Sequence, residues 1–270
     1  MTKFITATSK TVGTIFSHRH LISQLALRNI QMQYRGSYLG VLWTLLTPLM
    51  MLGIYSFVFG YVFGGSFNNE TPLEHALGIF VGLAIHNFFA ETIVITPTIV
   101  ESNATFVKKV VFPLETLIIA RLMASLLTLA IKSILILIAA LILGKTLSWN
   151  YLGVIAFLPI IFMTATGVGM LFSSIGVFIK DLGNASQFMS MALLFGSAIF
   201  YPMDKIPTGA WAFLKFNPLI YMVDGARNVV IWNRPIALEN YYTPAIVGLA
   251  IFMTGNFVFQ KLRPSFSDYL

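Results

Sequence analysis

The segment closest to reaction chemistry is Leu143-Gly144-Lys145-Thr146, which has the ending of a phosphate-binding loop. Such a loop needs a further glycine five residues before Gly144, so that backbone amides can curl around a phosphate, and Ala139 stands there instead. Without that turn the chain has no nucleotide site of its own. Glu70, Glu74 and His75 have the residue types of an acid–base site. They fall in one short loop without a Lys or Arg to hold a phosphate donor, which weighs against a polytopic glycosyl- or acyltransferase. The four histidines and ten acidic residues show no metal-ligand spacing. The absence of cysteine removes disulfides, thiolate metal sites and thiol nucleophiles.

Three charges sit deep within long apolar runs, where each is costly unless paired or hydrated. Glu91 lies about nine residues from one end of its run and Arg121 about seven from the matching end of the next, so at about 1.5 Å per residue they share a depth. They form either a structural ion pair or part of a substrate path. Lys132 lies further along the same run as Arg121, either facing water or a lipid diphosphate or reaching to the interface. Tyr55, Phe59 and Phe63 recur at four-residue spacing, with Phe57 and Tyr61 alongside. They read either as lipid-facing packing and an aromatic belt or as a track on which sugar rings stack.

These residues are carried by a chain that is 57% hydrophobic and 10% charged over 270 residues, with mean hydropathy +0.82. Soluble domains carry roughly 25% charged residues. The net charge of +7 is scattered among apolar runs rather than gathered on one face, so it does not point to nucleic acid. A bilayer core of about 30 Å takes about 20 apolar residues as a helix. Six runs qualify, at 41–63, 76–100, 114–143, 152–179, 182–201 and 244–262. Pro48, Pro97 and Pro159 lie within three of them, where neighbouring helices can satisfy the freed backbone. The reading is an all-α integral membrane protein with six transmembrane helices.

Lys and Arg set the orientation. With a cytoplasmic N-terminus, ten Lys and Arg fall in inside segments and five in outside ones, so both termini are expected inside. The first 35 residues lack an apolar core followed by small residues, so no cleavable signal peptide is expected. Residues 1–38 read as a cytoplasmic N-terminus, 39–262 as the transmembrane domain and 263–270 as a cytoplasmic tail. At 100° per residue, Gln24, Arg28, Gln31 and Arg35 share one face of a helix, and Leu21, Ile22, Leu25, Ala26, Ile30 and Met32 occupy the other. That is an amphipathic helix suited to the membrane interface, a lipid anchor and a partner contact being compatible roles. Residues 101–113 predict a short helix capped at Ser102 or Asn103 and stopped before Pro113. The connection 202–243 holds two short apolar pieces broken by Asn217-Pro218, read as re-entrant helices or as a pair lying flat on the outer surface. Gly60-x-x-x-Gly64 and Gly78-x-x-x-Gly82 permit close helix approach and are both candidates for a protomer interface.

Taken in order, the run Tyr34-Arg35-Gly36-Ser37-Tyr38-Leu39-Gly40-x-x-Trp43, the Lys108-Lys109-Val110-x-Phe112-Pro113 loop, Lys180-Asp181-Leu182, Asn217-Pro218-Leu219 with Arg227 beyond, and the tail from Lys261 to Asp268 resemble the permease subunit of ABC-2 type polysaccharide exporters, the Wzm-like proteins. Lys180 stands where the pattern has Arg, a change between two cations. The resemblance implies a permease for an O-antigen-like, capsule or teichoic acid chain on an undecaprenyl-diphosphate carrier, in the bacterial inner membrane. It implies a homodimer joined to two copies of a separate cytoplasmic ATPase, which would bind ATP and Mg while this chain carries no cofactor. A permease without phosphate chemistry must receive its energy as movement through a rigid element pressed into its partner. Arg28, Arg35, Glu101, Asn103, Phe106, Lys108, Lys109 and Phe112 are the candidates for that coupling. Tyr55, Phe59, Phe63, Glu91, Arg121 and Lys132 are the candidates for the substrate path. An ABC-2 exporter of another lipid or of a drug is the alternative within the same architecture.

Overall fold

The computed structural model describes residues 11, 13–33, 35–62, 70–109 and 112–269. Every regular element among the described residues is helical. In chain order these are α1 (Arg19–Gln33), α2 (Trp43–Tyr55), α3 (Pro72–Ile99), α4 (Ala104–Lys109), α5 (Glu115–Ile142), α6 (Asn150–Ile155), α7 (Phe157–Gly176), α8 (Leu182–Phe195), α9 (Thr208–Leu214), α10 (Pro218–Trp232), α11 (Glu239–Leu262) and α12 (Phe266–Tyr269).

Two of the buried helices begin on signals that are plain in the sequence. The Thr71 hydroxyl accepts from the Glu74 N–H at 3.4 Å while the Glu74 carboxylate accepts from the Thr71 N–H at 2.7 Å, and Pro72 fills the first turn of α3. The Asn217 side chain accepts from the Leu219 N–H at 3.0 Å, with Pro218 opening α10. That helix stops at Asn233, whose φ of 52° is the left-handed turn that ends many helices.

Four stretches are long and apolar enough to cross a membrane: α3, α5, α6 with α7 as Asn150–Gly176, and α11 with the tail as Glu239–Tyr269. They correspond to the expected runs 76–100, 114–143, 152–179 and 244–262. The other two expected runs are shorter helices. The run 41–63 is α2 continued by a π-helical turn, Ser56–Val62, with Phe63 outside the described residues. The run 182–201 contains α8, which has 14 residues.

Helix α3 is the centre of the bundle, buried along most of its length against α5, α7, α8 and α10. Helices α7 and α11 meet backbone to backbone, because a Cβ on Gly255 would stand 2.0 Å from the Gly167 carbonyl oxygen. Gly78 and Gly82 are buried too, and a Cβ on Gly82 would come within 3.1 Å of Val223. Both glycines are thus enclosed within one chain, Gly82 against Val223 of α10 and against Ile199, rather than free for a protomer interface. Of the other pair, Gly64 lies outside the described residues.

Polar contacts sort the connections into two ends. Lys145 pairs with Glu74, and the Asn150 amide donates to the Asn233 carbonyl at 2.9 Å, which gathers the starts of α3, α6 and α11 at one end. Lys180 with Glu101 at 3.5 Å and Arg263 with Glu115 at 2.9 Å gather the opposite ends. Among the four long stretches, α3 thus runs antiparallel to α5 and α5 to α6 with α7, whereas α11 runs parallel to α7.

Candidate coupling surface and substrate path

The segment between α3 and α5 is built as expected in outline and differently in detail. A 3-10 turn, Glu101–Asn103, leads into α4, and the helix ends before Pro113. Asn103 does not cap α4, however. Its side-chain amide donates to the Ile99 carbonyl at 2.8 Å and so closes the last turn of α3. Phe106 and Phe112 stack with centroids 4.8 Å apart and planes 23° apart, half-buried against the main core. The two rings thus clamp the segment onto its own chain. Lys108 is exposed, and Glu101 meets Lys180 across an exposed gap of 3.5 Å, an ion pair that adds direction more than stability. Lys109 is the last residue of α4.

A buried polar node lies directly beneath this segment. Glu115, fully buried at the start of α5, accepts from Arg263 Nη1 at 2.9 Å and from Gln260 Nε2 at 2.6 Å. Arg263 Nη2 also donates to the Phe112 carbonyl at 3.0 Å. Gln260 reaches Thr11 at 3.3 Å, and the Thr11 hydroxyl donates to Asn256 at 2.7 Å. A buried carboxylate is tolerable only with such partners. One node therefore ties the N-terminal segment, the end of the 101–113 segment, and α11 together. Sequence reasoning missed it, counting Arg263 as a topology charge and as part of the tail motif but not as a partner of Glu115. The one available signal was Glu115 itself, an acid just inside a long apolar run.

Helix α1 docks beside this node. Ile22 and Ala26 are buried against Ile119 and Ala120 of α5, with Leu25 and Phe162 at the edges. The apolar half read from the sequence is thus partly spent on protein, while Leu27 and Met32 stay exposed. Arg28 is exposed on the helix, and Arg35 is exposed beyond its end, donating to Met32 Sδ at 3.9 Å. Behind Glu115, the tail is held by rings: Phe266 is fully buried 5.6 Å from Phe259, and Tyr269 stands edge-on to Phe178 at 4.7 Å. The bundle thus presents a braced end with α4 and exposed basic residues on it.

Midway along the bundle, Arg121 Nη2 donates to Glu91 Oε1, joining α3 to α5 where the depth arithmetic placed them. Lys132 is half-buried further along α5. Tyr55 and Phe59 lie 6.1 Å apart and half-buried against the core, and Phe59 stacks on Phe200 at 5.6 Å. Phe57 and Tyr61 stack at 6.1 Å and remain exposed. The predicted aromatic face is therefore two stripes, one continuing inward to Phe200. At the far end, Arg227 is fully buried and donates Nη2 to the carbonyls of Ala198 at 3.1 Å and Ile199 at 2.8 Å. Ala198 has φ of 52°, a costly value for alanine that those bonds and the Asn217 amide on Gly196 at 2.8 Å hold in place.

The profile of the ABC-2 type transporter family matches residues 20–231. The chain belongs to that family. Among curated proteins it is similar to the O-antigen export system permease protein RfbA of Klebsiella pneumoniae, 26% identical over 253 residues that cover 93% of this chain and 95% of that protein. It is also similar to the polysialic acid transport protein KpsM of Escherichia coli, 25% identical over 213 residues covering 78% and 81%. A third relative is the O-antigen export system permease protein RfbA of Myxococcus xanthus, 21% identical over 262 residues covering 95% and 98%.

Within this ABC-2 chain the family match takes in α1 from His20 on, the 101–113 segment, Glu91, Arg121 and Arg227. Thr11, Asn256, Gln260 and Arg263 lie outside it. The ABC-2 core therefore carries Glu115, and the segments flanking it supply the partners.

Proposed function

We infer that this chain is the transmembrane subunit of an ATP-driven exporter that moves a lipid-linked, O-antigen-like polysaccharide across the bacterial inner membrane. The observation that carries the reading is the end-to-end similarity to permease proteins named for O-antigen export, over 93% of this chain. The working unit is a homodimer with two copies of a cytoplasmic ATPase, which binds ATP and Mg, and the carrier is undecaprenyl diphosphate. Each chain crosses the membrane six times with both termini inside. In that count α2 with its π-turn makes the first crossing and α8 with 196–201 the fifth. The 14 residues of α8 rise about 21 Å, short of a core of about 30 Å, so the segment after it completes the crossing. Helices α9 and α10 are the re-entrant pair, an arrangement supported by the burial of nearly all of α10.

Energy enters at the braced end. The ATPase presses on α4, with Lys108, Lys109 and Glu101 at the rim and Arg28 and Arg35 of the N-terminal segment beside it. Phe106 and Phe112 transmit the push, because their stack fixes the segment to the bundle rather than letting it yield. Arg263 then carries the displacement into α11 through the Phe112 carbonyl and Glu115. Tyr55, Phe59, Phe63, Glu91, Arg121 and Lys132 belong to the path or support it. Reconstitution tests the reading: the purified chain with its ATPase subunit in proteoliposomes should export polymer on a polyprenyl diphosphate carrier when ATP is supplied. The chain alone should neither bind nor hydrolyse ATP, and robust hydrolysis by it would sink the assignment.

A further inference from the structure

An open cleft of about 440 Å3 lies between α9, α10 and the 3-10 turn Met203–Lys205, away from the coupling end. Its size falls within the roughly 300–1,000 Å3 of small-ligand sites. Asp204, Trp211, Asp224, Arg227, Asn228 and Trp232 line it. Flat apolar rings beside carboxylate and amide groups form a surface for saccharides. A pyranose has a C–H face that covers an indole and a rim of hydroxyls that donate to carboxylates and amides. A lipid tail would meet too many charges here, and a phosphate would meet two carboxylates.

The walls are set before any ligand arrives. Asp224 Oδ2 accepts from Asn228 at 2.9 Å and from Asn240 of α11 at 3.1 Å. The Trp211 ring leans on Tyr221 with centroids 6.2 Å apart, and the Arg234 guanidinium lies 5.9 Å from the Trp232 ring centre. Fixed walls reduce the ordering cost of binding. The lining also has a sign. Asp204 and Asp224 oppose the single positive charge of Arg227, whose Nη2 is already committed to the Ala198 and Ile199 carbonyls. Lys205 and Arg234 stand outside the lining.

We propose that this cleft binds uncharged pyranose units of the exported polymer and rejects acidic ones, which rests on the reading of the chain as a polysaccharide permease. A sugar carboxylate would approach two protein carboxylates at once, a like-charge encounter that disfavours the wrong partner. The cargo is therefore a neutral polysaccharide, held at the end of the bundle opposite the ATPase.

The test is a saturation-transfer NMR titration of the purified full-length chain with mannohexaose, maltoheptaose and an oligogalacturonate of six residues. At least one neutral probe should bind saturably, with the acidic probe about tenfold or more weaker. Trp211→Ala should weaken the neutral probe about tenfold, as expected for roughly 60 Å2 of apolar sugar face left wet, and Trp211→Phe should recover part of it. Asp204→Asn with Asp224→Asn should bring the two probe types closer together. Asp204→Asn alone, on an exposed turn, gives the same direction if the Asp224 variant does not fold. Failure of both neutral probes to bind, equal or tighter binding of the acidic one, or indifference to Trp211→Ala overturns the proposal. Export by the reconstituted complex is scored separately. Lost binding with intact export removes the cleft and leaves the permease reading, whereas a wild-type complex that exports nothing removes the permease reading while the titration still decides the cleft.

Discussion

Arg263, at the end of the last long helix, donates one guanidinium nitrogen to the buried carboxylate of Glu115 at 2.9 Å and the other to the Phe112 carbonyl at 3.0 Å. The two partners differ in exposure, the Glu115 side chain being fully buried and that of Arg263 26% exposed. Removing either one therefore has unequal consequences. Arg263→Ala leaves a buried charge with only Gln260 as donor and should cost about 2–4 kcal/mol. Glu115→Gln keeps an acceptor for Gln260 and frees an arginine that can reach water, costing about 1 kcal/mol. Thermal melting of the purified chain measures both. Equal losses, or a larger loss for Glu115→Gln, would show that the node is not organised around a buried anion.

Glu91 and Arg121 offer a cleaner separation of structure from transport. Their side chains are 26% and 16% exposed, so breaking the pair by Glu91→Gln or Arg121→Gln should cost about 1–3 kcal/mol, below the figure for a fully buried pair. The double change Glu91→Gln with Arg121→Gln should cost less than the sum of the single changes. If each single variant melts like the parent while export stops, the pair belongs to the substrate path.

The same pair marks what could be read from sequence. Glu91 and Arg121 were legible because position within an apolar run fixes depth, and two unlike charges at one depth on adjacent helices find each other. The break between α9 and α10 was legible at Asn217-Pro218 because both residues act locally. The node at Glu115 was not, since its partners Gln260 and Arg263 lie 145 and 148 residues away. No local period announces that closure. Phe106 and Phe112 show a subtler limit. Periodicity identifies an apolar face but not which surface covers it, and here each ring is covered in part by the other. The same holds for Ile22 and Ala26, whose burial against α5 depends on where that helix runs.

A chain without cysteine is suited to accessibility mapping. Single cysteines in place of exposed Thr208, the first residue of α9, and exposed Thr105, in α4, sit at opposite ends of the bundle. In intact spheroplasts an impermeant maleimide should label the first and reach the second only after permeabilisation. Labelling of Thr105→Cys from outside would invert the orientation and remove the ATPase from α4.

The coupling assignment makes opposite demands on two residues of the same short helix. Phe106 is half-buried and stacked on Phe112, so Phe106→Ala removes internal packing and should cost about 1–2 kcal/mol, less than the full burial of a phenylalanine would imply. The loosened segment can still touch the ATPase, but it yields instead of pushing. Binding in a pull-down should therefore fall little, while polymer-stimulated ATP hydrolysis and export fall severalfold. Lys108 is exposed, so Lys108→Glu should leave the melting temperature of the isolated chain unchanged. Its effect should appear in association, as a slower on-rate and altered salt dependence, because a rim charge steers encounter more than it holds a complex. Cysteine labelling of the Lys108→Glu variant checks that insertion is normal, which separates coupling from a mere topology signal. Normal insertion with wild-type association and export in Lys108→Glu, together with full coupling in Phe106→Ala, would leave α4 as a surface turn and move the search for the ATPase contact to α1.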